Sequence, residues 1–122
     1  MAKQKILENI NRFLPPVLWA YLIFSFSSTS TLPGAQIVWW DFITKKMAHM
    51  GIYAVLFFLI QRAYNWDRKI KSYKLSMLLT LLYAISDEYH QSFIPGRTAL
   101  PTDVGYDMIG ASLTFLKLKN LI

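Results

Sequence analysis

Residues 86–97 read Ser86-Asp87-Glu88-Tyr89-His90-Gln91-Ser92-Phe93-Ile94-Pro95-Gly96-Arg97, and they follow directly on the apolar segment 75–85. Two adjacent carboxylates therefore stand at the end of a run that suits a membrane. Each one costs about 2.5–3.5 kcal/mol at the centre of a bilayer and less near its edge. The rest of the chain is expected to offset this cost with hydrogen-bond partners or water.

The composition of the whole chain favours a lipid environment. The 122 residues are 54% hydrophobic and only 16% charged, whereas an average soluble domain is nearer a quarter charged. The chain has no cysteine, which excludes disulfides, thiolate metal sites and thiol nucleophiles. Its length fits one domain, residues 1–122.

Four helices are predicted, at about residues 13–28, 46–62, 74–91 and 103–118. Apolar residues surround these segments instead of forming one stripe, which favours an all-α, four-helix transmembrane bundle over a soluble four-helix protein. Pro15 and Pro16 are expected in the first turn of the first helix, where a missing N–H is tolerated. A basic start before an apolar run also resembles a signal peptide, and this alternative stays open.

The distribution of charge predicts the orientation of such a bundle. Four spans place both termini and the middle connection on one side, which then carries ten of the 13 basic residues. The other side carries five of the seven acids. Because basic loops stay inside, both termini are predicted to be cytoplasmic.

Three predicted helices carry polar residues at helical spacing at their outer ends. The spacing is i, i+3, i+7 on the second helix and i, i+4 on the third and fourth. Polar faces of membrane helices turn inward, so a polar pocket on the extracytoplasmic side is predicted. Its expected members are Lys46, His49, Tyr53, Asp87, Glu88, Gln91, Arg97, Asp103 and Asp107.

The chemistry open to this group is limited to a few roles. Asp87, Glu88 and His49 are the candidates for acid–base catalysis, if the protein is an enzyme. Lys46 and Arg97 suit a phosphate or carboxylate. The other candidate ligand-binding residues are Tyr53, Gln91, Asp103 and Asp107. No metal signature, nucleotide motif or cofactor motif is present, and no nucleic-acid partner is expected.

Several members of the predicted pocket also have a purely structural explanation. Lys46 can end a helix by extending its ammonium to the interface, and Asp103 can be a helix N-cap. His49 can be a hydrogen-bonding residue of the bundle.

A resemblance to a known family rests on three motifs: Lys46-x-x-His49-x-x-x-Tyr53, the run from Ser86 to Arg97, and Asp103-Val104-x-x-Asp107-x-x-Gly110. Together they resemble the VanZ-like family of small bacterial membrane proteins, over residues 41–116. Two positions depart from the family pattern: Asp107 stands where Asn is usual, and Thr114 where a second Gly is common.

The resemblance implies a four-helix topology and a role in the cell envelope, since the family's founding member is associated with low-level resistance to teicoplanin. Three hypotheses follow. The protein binds an amphiphilic envelope molecule, a membrane lipid or a lipoglycopeptide; or it is a hydrolase or transferase acting on a lipid-linked substrate; or it is a structural partner in a larger complex. The oligomeric state is not predicted.

Overall fold

The computed structural model describes residues 1–28, 39–64, 73–94 and 101–120, apart from the side chains of residues 39–42. These residues form four α-helices and no strand. The helices are α1 (Ala2–Ser27), α2 (Trp39–Tyr64), α3 (Tyr73–Gln91) and α4 (Pro101–Leu118). The prediction of an all-helical protein with four helices is confirmed.

The start of α1 differs from the prediction. The helix begins at Ala2 instead of about residue 13, so Pro15 and Pro16 lie inside it and not in its first turn. Pro15 has no N–H to give to the carbonyl of Asn11. The Nη1 of Arg62, on α2, donates to that carbonyl at 3.3 Å. A contact between helices thus replaces the hydrogen bond that the proline removes, and the helix continues.

The start of α2 also differs, because the helix begins at Trp39 and not at about residue 46. No Gly or Pro stands between Trp39 and Lys46, so nothing in this segment interrupts the helix. Helices α3 and α4 begin and end within two residues of their predicted bounds.

Helix α2 is the central element of the bundle. Among the described residues it contacts each of the other three helices, whereas α1 contacts α2 and α3 but not α4. The buried residues Tyr53, Leu56 and Phe57 of α2 lie in the interior, with Ala84 of α3 and Ala111 of α4. The small alanines let the helices approach α2 closely.

Helices α2 and α4 approach each other closely at Gly110. A Cβ atom placed on Gly110 would lie 2.6 Å from the carbonyl carbon of Met50 and 2.8 Å from its Cα. One turn further along α4, the hydroxyl of Thr114 donates to the carbonyl of Ala54, at 3.1 Å. The backbone of α2 thus accommodates the hydroxyl of Thr114.

Polar and apolar side chains are distributed in the reverse of the usual soluble pattern. Among the described residues the buried polar side chains outnumber the buried hydrophobic ones by eight to seven: Ser27, Gln61, Ser76, Thr80, Asp87, Gln91, Asp103 and Asp107. Large apolar side chains such as Phe58, Leu82 and Leu113 are exposed. By length and composition, one helical segment among the described residues could cross a membrane, Ile43–Tyr64.

We expect Gly110→Ala to lower the free energy of unfolding by about 1–3 kcal/mol, because the added methyl group meets the backbone of α2. Gly105→Ala, on the same helix, is the matched control, since nothing lies within 4 Å of its Cβ position. Unfolding by denaturing detergent in mixed micelles measures both. Equal effects of the two substitutions would contradict the close approach.

Candidate functional site

One face of α2 pairs with carboxylates from the two neighbouring helices. The ammonium of Lys46 forms an ion pair with Asp103 of α4. The Nδ1 of His49 lies 3.0 Å from Oδ1 of Asp107, also on α4. The hydroxyl of Tyr53 donates to Oδ2 of Asp87, on α3, at 3.0 Å. These six residues are called the polar ladder below.

Helical geometry places the members of the polar ladder in register. Lys46, His49 and Tyr53 occupy successive turns of one face of α2, and Asp103 and Asp107 occupy successive turns of α4. Asp103 also lies in the first turn of α4, where a negative charge is stabilised by the helix dipole. The ammonium of Lys46 lies 5.1 Å from the ring centre of Tyr106 in addition.

The three pairs differ in their access to the surroundings. The side chain of His49 is 27% exposed and that of Lys46 is 18% exposed, whereas Asp107 is 2% exposed. Tyr53 and Asp87 are buried in the core. A ligand arriving at this end of the bundle would therefore meet Lys46 and His49 before it met the Tyr53–Asp87 pair.

The His49–Asp107 pair has the geometry of a carboxylate that orients an imidazole. Because Asp107 engages Nδ1, the Nε2 atom of His49 is the nitrogen left for a ligand or a water molecule. In many enzymes this arrangement holds an imidazole as a general base. The pair can therefore bind an acidic or hydroxyl group, or move a proton.

The remaining candidate residues lie apart from the polar ladder or outside the described residues. Gln91 is buried, and its Nε2 donates to the hydroxyl of Ser27 on α1 at 3.2 Å. Glu88 is half-buried and lies about 100° around α3 from Asp87. Arg97 lies outside the described residues, and its role in ligand binding stays a prediction.

A second polar contact region joins α1 and α3, and the sequence did not indicate it. Beside the Gln91–Ser27 contact, the His90 ring stacks on Phe24 with centres 4.5 Å apart. The hydroxyl of Ser28 lies 3.5 Å from Nε2 of His90. Serines near a helix end also serve as caps and loop residues, so their type gave no signal for these contacts.

Several side chains that bond to the backbone of another helix were also missed. The indole N–H of Trp19 donates to the carbonyl of Ile52 at 2.9 Å. The hydroxyl of Tyr83 donates to the carbonyl of Ala20 at 2.5 Å. Both contacts attach α1 to the other helices. The presence of Trp or Tyr in the sequence predicts core or interface packing only. No spacing rule identifies the carbonyl to which such a side chain donates.

In the part of the chain that the structure describes, no group of three or more His, Cys, Asp or Glu side chains is placed to hold a metal ion. The side chains of the polar ladder instead form three pairs, each of one acid and one donor. The arrangement suits recognition of a ligand that carries charge or hydroxyl groups.

The four helices define a small, all-helical protein with a polar interior, and among the described residues one of its helices contains a segment that could cross a membrane. The model of the VanZ/LLP1 family matches residues 5–121, so the chain belongs to this family. The match includes α1, which precedes the motifs that carry the resemblance. Neither the curated proteins nor the solved structures compared with the chain give a match.

We expect Tyr53→Phe to destabilise the protein by about 1–3 kcal/mol, because it leaves a buried Asp87 oxygen without its donor. Tyr89→Phe is the control, because Tyr89 lies on α3 with 70% of its surface exposed. A double-mutant cycle with Asp87→Ala measures the coupling in detergent unfolding, expected at about 1 kcal/mol. Strict additivity of Tyr53→Phe and Asp87→Ala would show that the pair does not form.

Proposed function

We propose that the protein is a multi-pass protein of the bacterial cytoplasmic membrane whose polar ladder binds the head group of an amphiphilic envelope molecule. The four helices span the bilayer with both termini in the cytoplasm. The outer ends of α2, α3 and α4 then present the polar ladder to the extracytoplasmic side. The ligand is a lipid-linked precursor or a lipoglycopeptide.

The distribution of side chains supports the membrane part of this proposal. Buried polar groups and exposed apolar groups are the arrangement that hydrocarbon requires. Helices α3 and α4 are 19 and 18 residues long, which corresponds to roughly 27–29 Å. This length matches a hydrocarbon layer of about 30 Å. The charged residues of the polar ladder stand in the outer halves of α2, α3 and α4, where their cost is lower than at the centre of the bilayer.

One observation carries the binding part: three donors on one helix face meet three carboxylates from two other helices at one end of the bundle. The outermost partners, Lys46 and His49, are partly exposed. An anionic group of a ligand can compete with Asp103 for Lys46, and a hydroxyl or amine can bind the carboxylates. Gln91, Arg97 and Glu88 are further candidates from the sequence, although Gln91 and Glu88 lie apart from the polar ladder on α3.

A hydrolase or transferase is the second candidate function, and the His49–Asp107 pair favours it. With Nδ1 held by Asp107, Nε2 of His49 is the atom that would take a proton from a water or hydroxyl nucleophile. Asp87 and Glu88 are the other candidate acids. The substrate would again be a lipid-linked envelope molecule, so binding and catalysis share one site.

The membrane orientation is tested with single cysteines, which the natural chain lacks. We expect a cysteine at Ser30 to react with a membrane-impermeant thiol reagent from outside intact cells, and a cysteine at Ser72 to react only after the cells are opened. The wild-type chain is the unlabelled control. Labelling of both positions from the same side would refute four spans.

Binding is tested on purified protein with two probes, labelled teicoplanin and a labelled lipid-linked cell-wall precursor. We expect at least one to bind, and Lys46→Gln and His49→Gln to weaken it about tenfold or more, because each removes a charge-assisted contact. Lys45→Gln is the matched control, since it removes the same charge from an exposed neighbour.

The same preparation separates the candidate functions. Asp107→Asn keeps an acceptor for His49 but removes the charge, so, if the protein is an enzyme, turnover of the precursor should fall by more than binding does. Binding without turnover in the wild type favours the binding protein. Failure of both probes to bind, or equal losses in Lys45→Gln and Lys46→Gln, would contradict the proposal.

A further inference from the structure

Gln61 is a buried amide at the end of the bundle opposite the polar ladder. It stands in the last turn of α2, with 4% of its surface exposed. Its Oε1 accepts from the hydroxyl of Ser76, in the first turn of α3, at 2.6 Å. Its Nε2 is buried and has no hydrogen-bond partner in the part of the chain that the structure describes. A buried amide nitrogen without an acceptor is costly, most of all where hydrocarbon surrounds the bundle.

Turning the amide of Gln61 over does not remove this cost. The nitrogen and the oxygen of a glutamine side chain have nearly the same shape, and their hydrogen bonds distinguish them. With the amide reversed, Nε2 would donate to the hydroxyl of Ser76, and Oε1 would be the buried atom without a partner. In both orientations Gln61 needs one more partner, which accepts in the first case and donates in the second.

The polar side chains of α3 at this end are neutral. Ser76 and Thr80 lie one turn apart on the buried face of α3, and neither has any exposed surface. The hydroxyl of Thr80 donates to the backbone carbonyl of Ser76 at 2.7 Å, and its oxygen can still accept a hydrogen bond. Arg62, next to Gln61 in the chain, reaches α1, where its Nη1 donates to the carbonyl of Asn11. An ion beside Gln61 would meet no opposite charge on Ser76 or Thr80, so the partner is a neutral group that both donates and accepts.

We propose that Gln61 binds a buried water molecule between α2 and α3. The water accepts from Nε2 and donates to a neighbouring oxygen, for which the hydroxyl of Thr80 is the candidate. A water molecule is small enough to meet an atom without exposed surface, whereas a lipid head group or a sugar needs an opening. Beside the bond from Ser76, the water joins the last turn of α2 to the first two turns of α3.

An apolar layer separates this water from the polar ladder. Thr80 and Asp87 are seven residues apart on α3, which corresponds to about 10 Å along the helix axis. Between these two levels lie Ala84 of α3 and Leu56 and Phe57 of α2, all buried. The buried face of α3 therefore has water at one end and charge at the other. Substitutions in the polar ladder should leave the water in place, so the proposal holds or fails independently of the proposed function.

Water-selective NMR on the full chain, labelled with nitrogen-15 in detergent micelles, tests the proposal directly. The Nε2 protons of Gln61 are identified by residue-specific assignment and by their loss in Gln61→Met. We expect these protons to give cross-peaks to water with opposite signs in the laboratory-frame and rotating-frame experiments, which marks a long-lived water molecule. The indole N–H of Trp19 is the dry control, because it donates directly to the carbonyl of Ile52 at 2.9 Å. Gln4, which is exposed on α1, should show short-lived hydration only.

Ser76→Ala separates a direct contact from a relayed one, because the hydroxyl of Ser76 can exchange its proton with water and pass the signal to Gln61. The cross-peak should remain in this variant. If Ser76→Ala does not fold, the wild type is measured at two pH values above neutral, since hydroxyl exchange is faster at the higher pH and a direct contact is unchanged. The proposal is overturned if Gln61 behaves like Trp19, if the cross-peak is lost in Ser76→Ala, or if it grows with hydroxyl exchange. It is also overturned if Nε2 donates to a carbonyl of residues 65–72, because the connection between α2 and α3 would then supply the acceptor.

Discussion

A carboxylate carried into the interior of a helical bundle must meet a donor, and α2 supplies one donor for each of Asp87, Asp103 and Asp107. These pairs fix the rotation of α2, α3 and α4 about their axes, because turning any helix by one residue would carry its polar group about 100° away from its partner. In the proposed membrane setting, apolar packing alone is less selective, because lipid tails are as apolar as the side chains they would replace. The polar ladder is therefore the part of the bundle that determines how α2, α3 and α4 are rotated about their axes.

Different kinds of contact join the helices at the two ends of the molecule. At one end the polar ladder joins α2, α3 and α4 and leaves Lys46 and His49 partly exposed. At the other end Arg12 and Arg62 join α1 to α2 through backbone carbonyls. Helix α1 is held to the other helices mainly by side-chain donors and backbone acceptors, as with Trp19. None of the three pairs of the polar ladder involves a residue of α1.

Much of this architecture could be predicted from the helical spacing of polar residues in the sequence. It placed Lys46, His49 and Tyr53 on one face, and it placed Asp103 and Asp107 on another, because the 3.6-residue period is a local property. The assignment of each donor to its acid depends on the relative height of the helices, which no local pattern encodes. The position of Gln91 shows the same limit: it shares a face with Asp87, yet it bonds to Ser27 of α1. Pro15 was misplaced because the donor that rescues Asn11 comes from α2, about fifty residues further along the chain.

Exchange of the charges in the outermost pair tests the central claim most directly. Lys46→Glu alone places two acids together, and Asp103→Lys alone places two cations together, so each should lower the midpoint of detergent unfolding. The double variant restores an ion pair between α2 and α4, and it should recover at least half of the combined loss. If the double variant is as unstable as the sum of the two single variants, Lys46 and Asp103 do not pair, and the polar ladder is not what orders the helices.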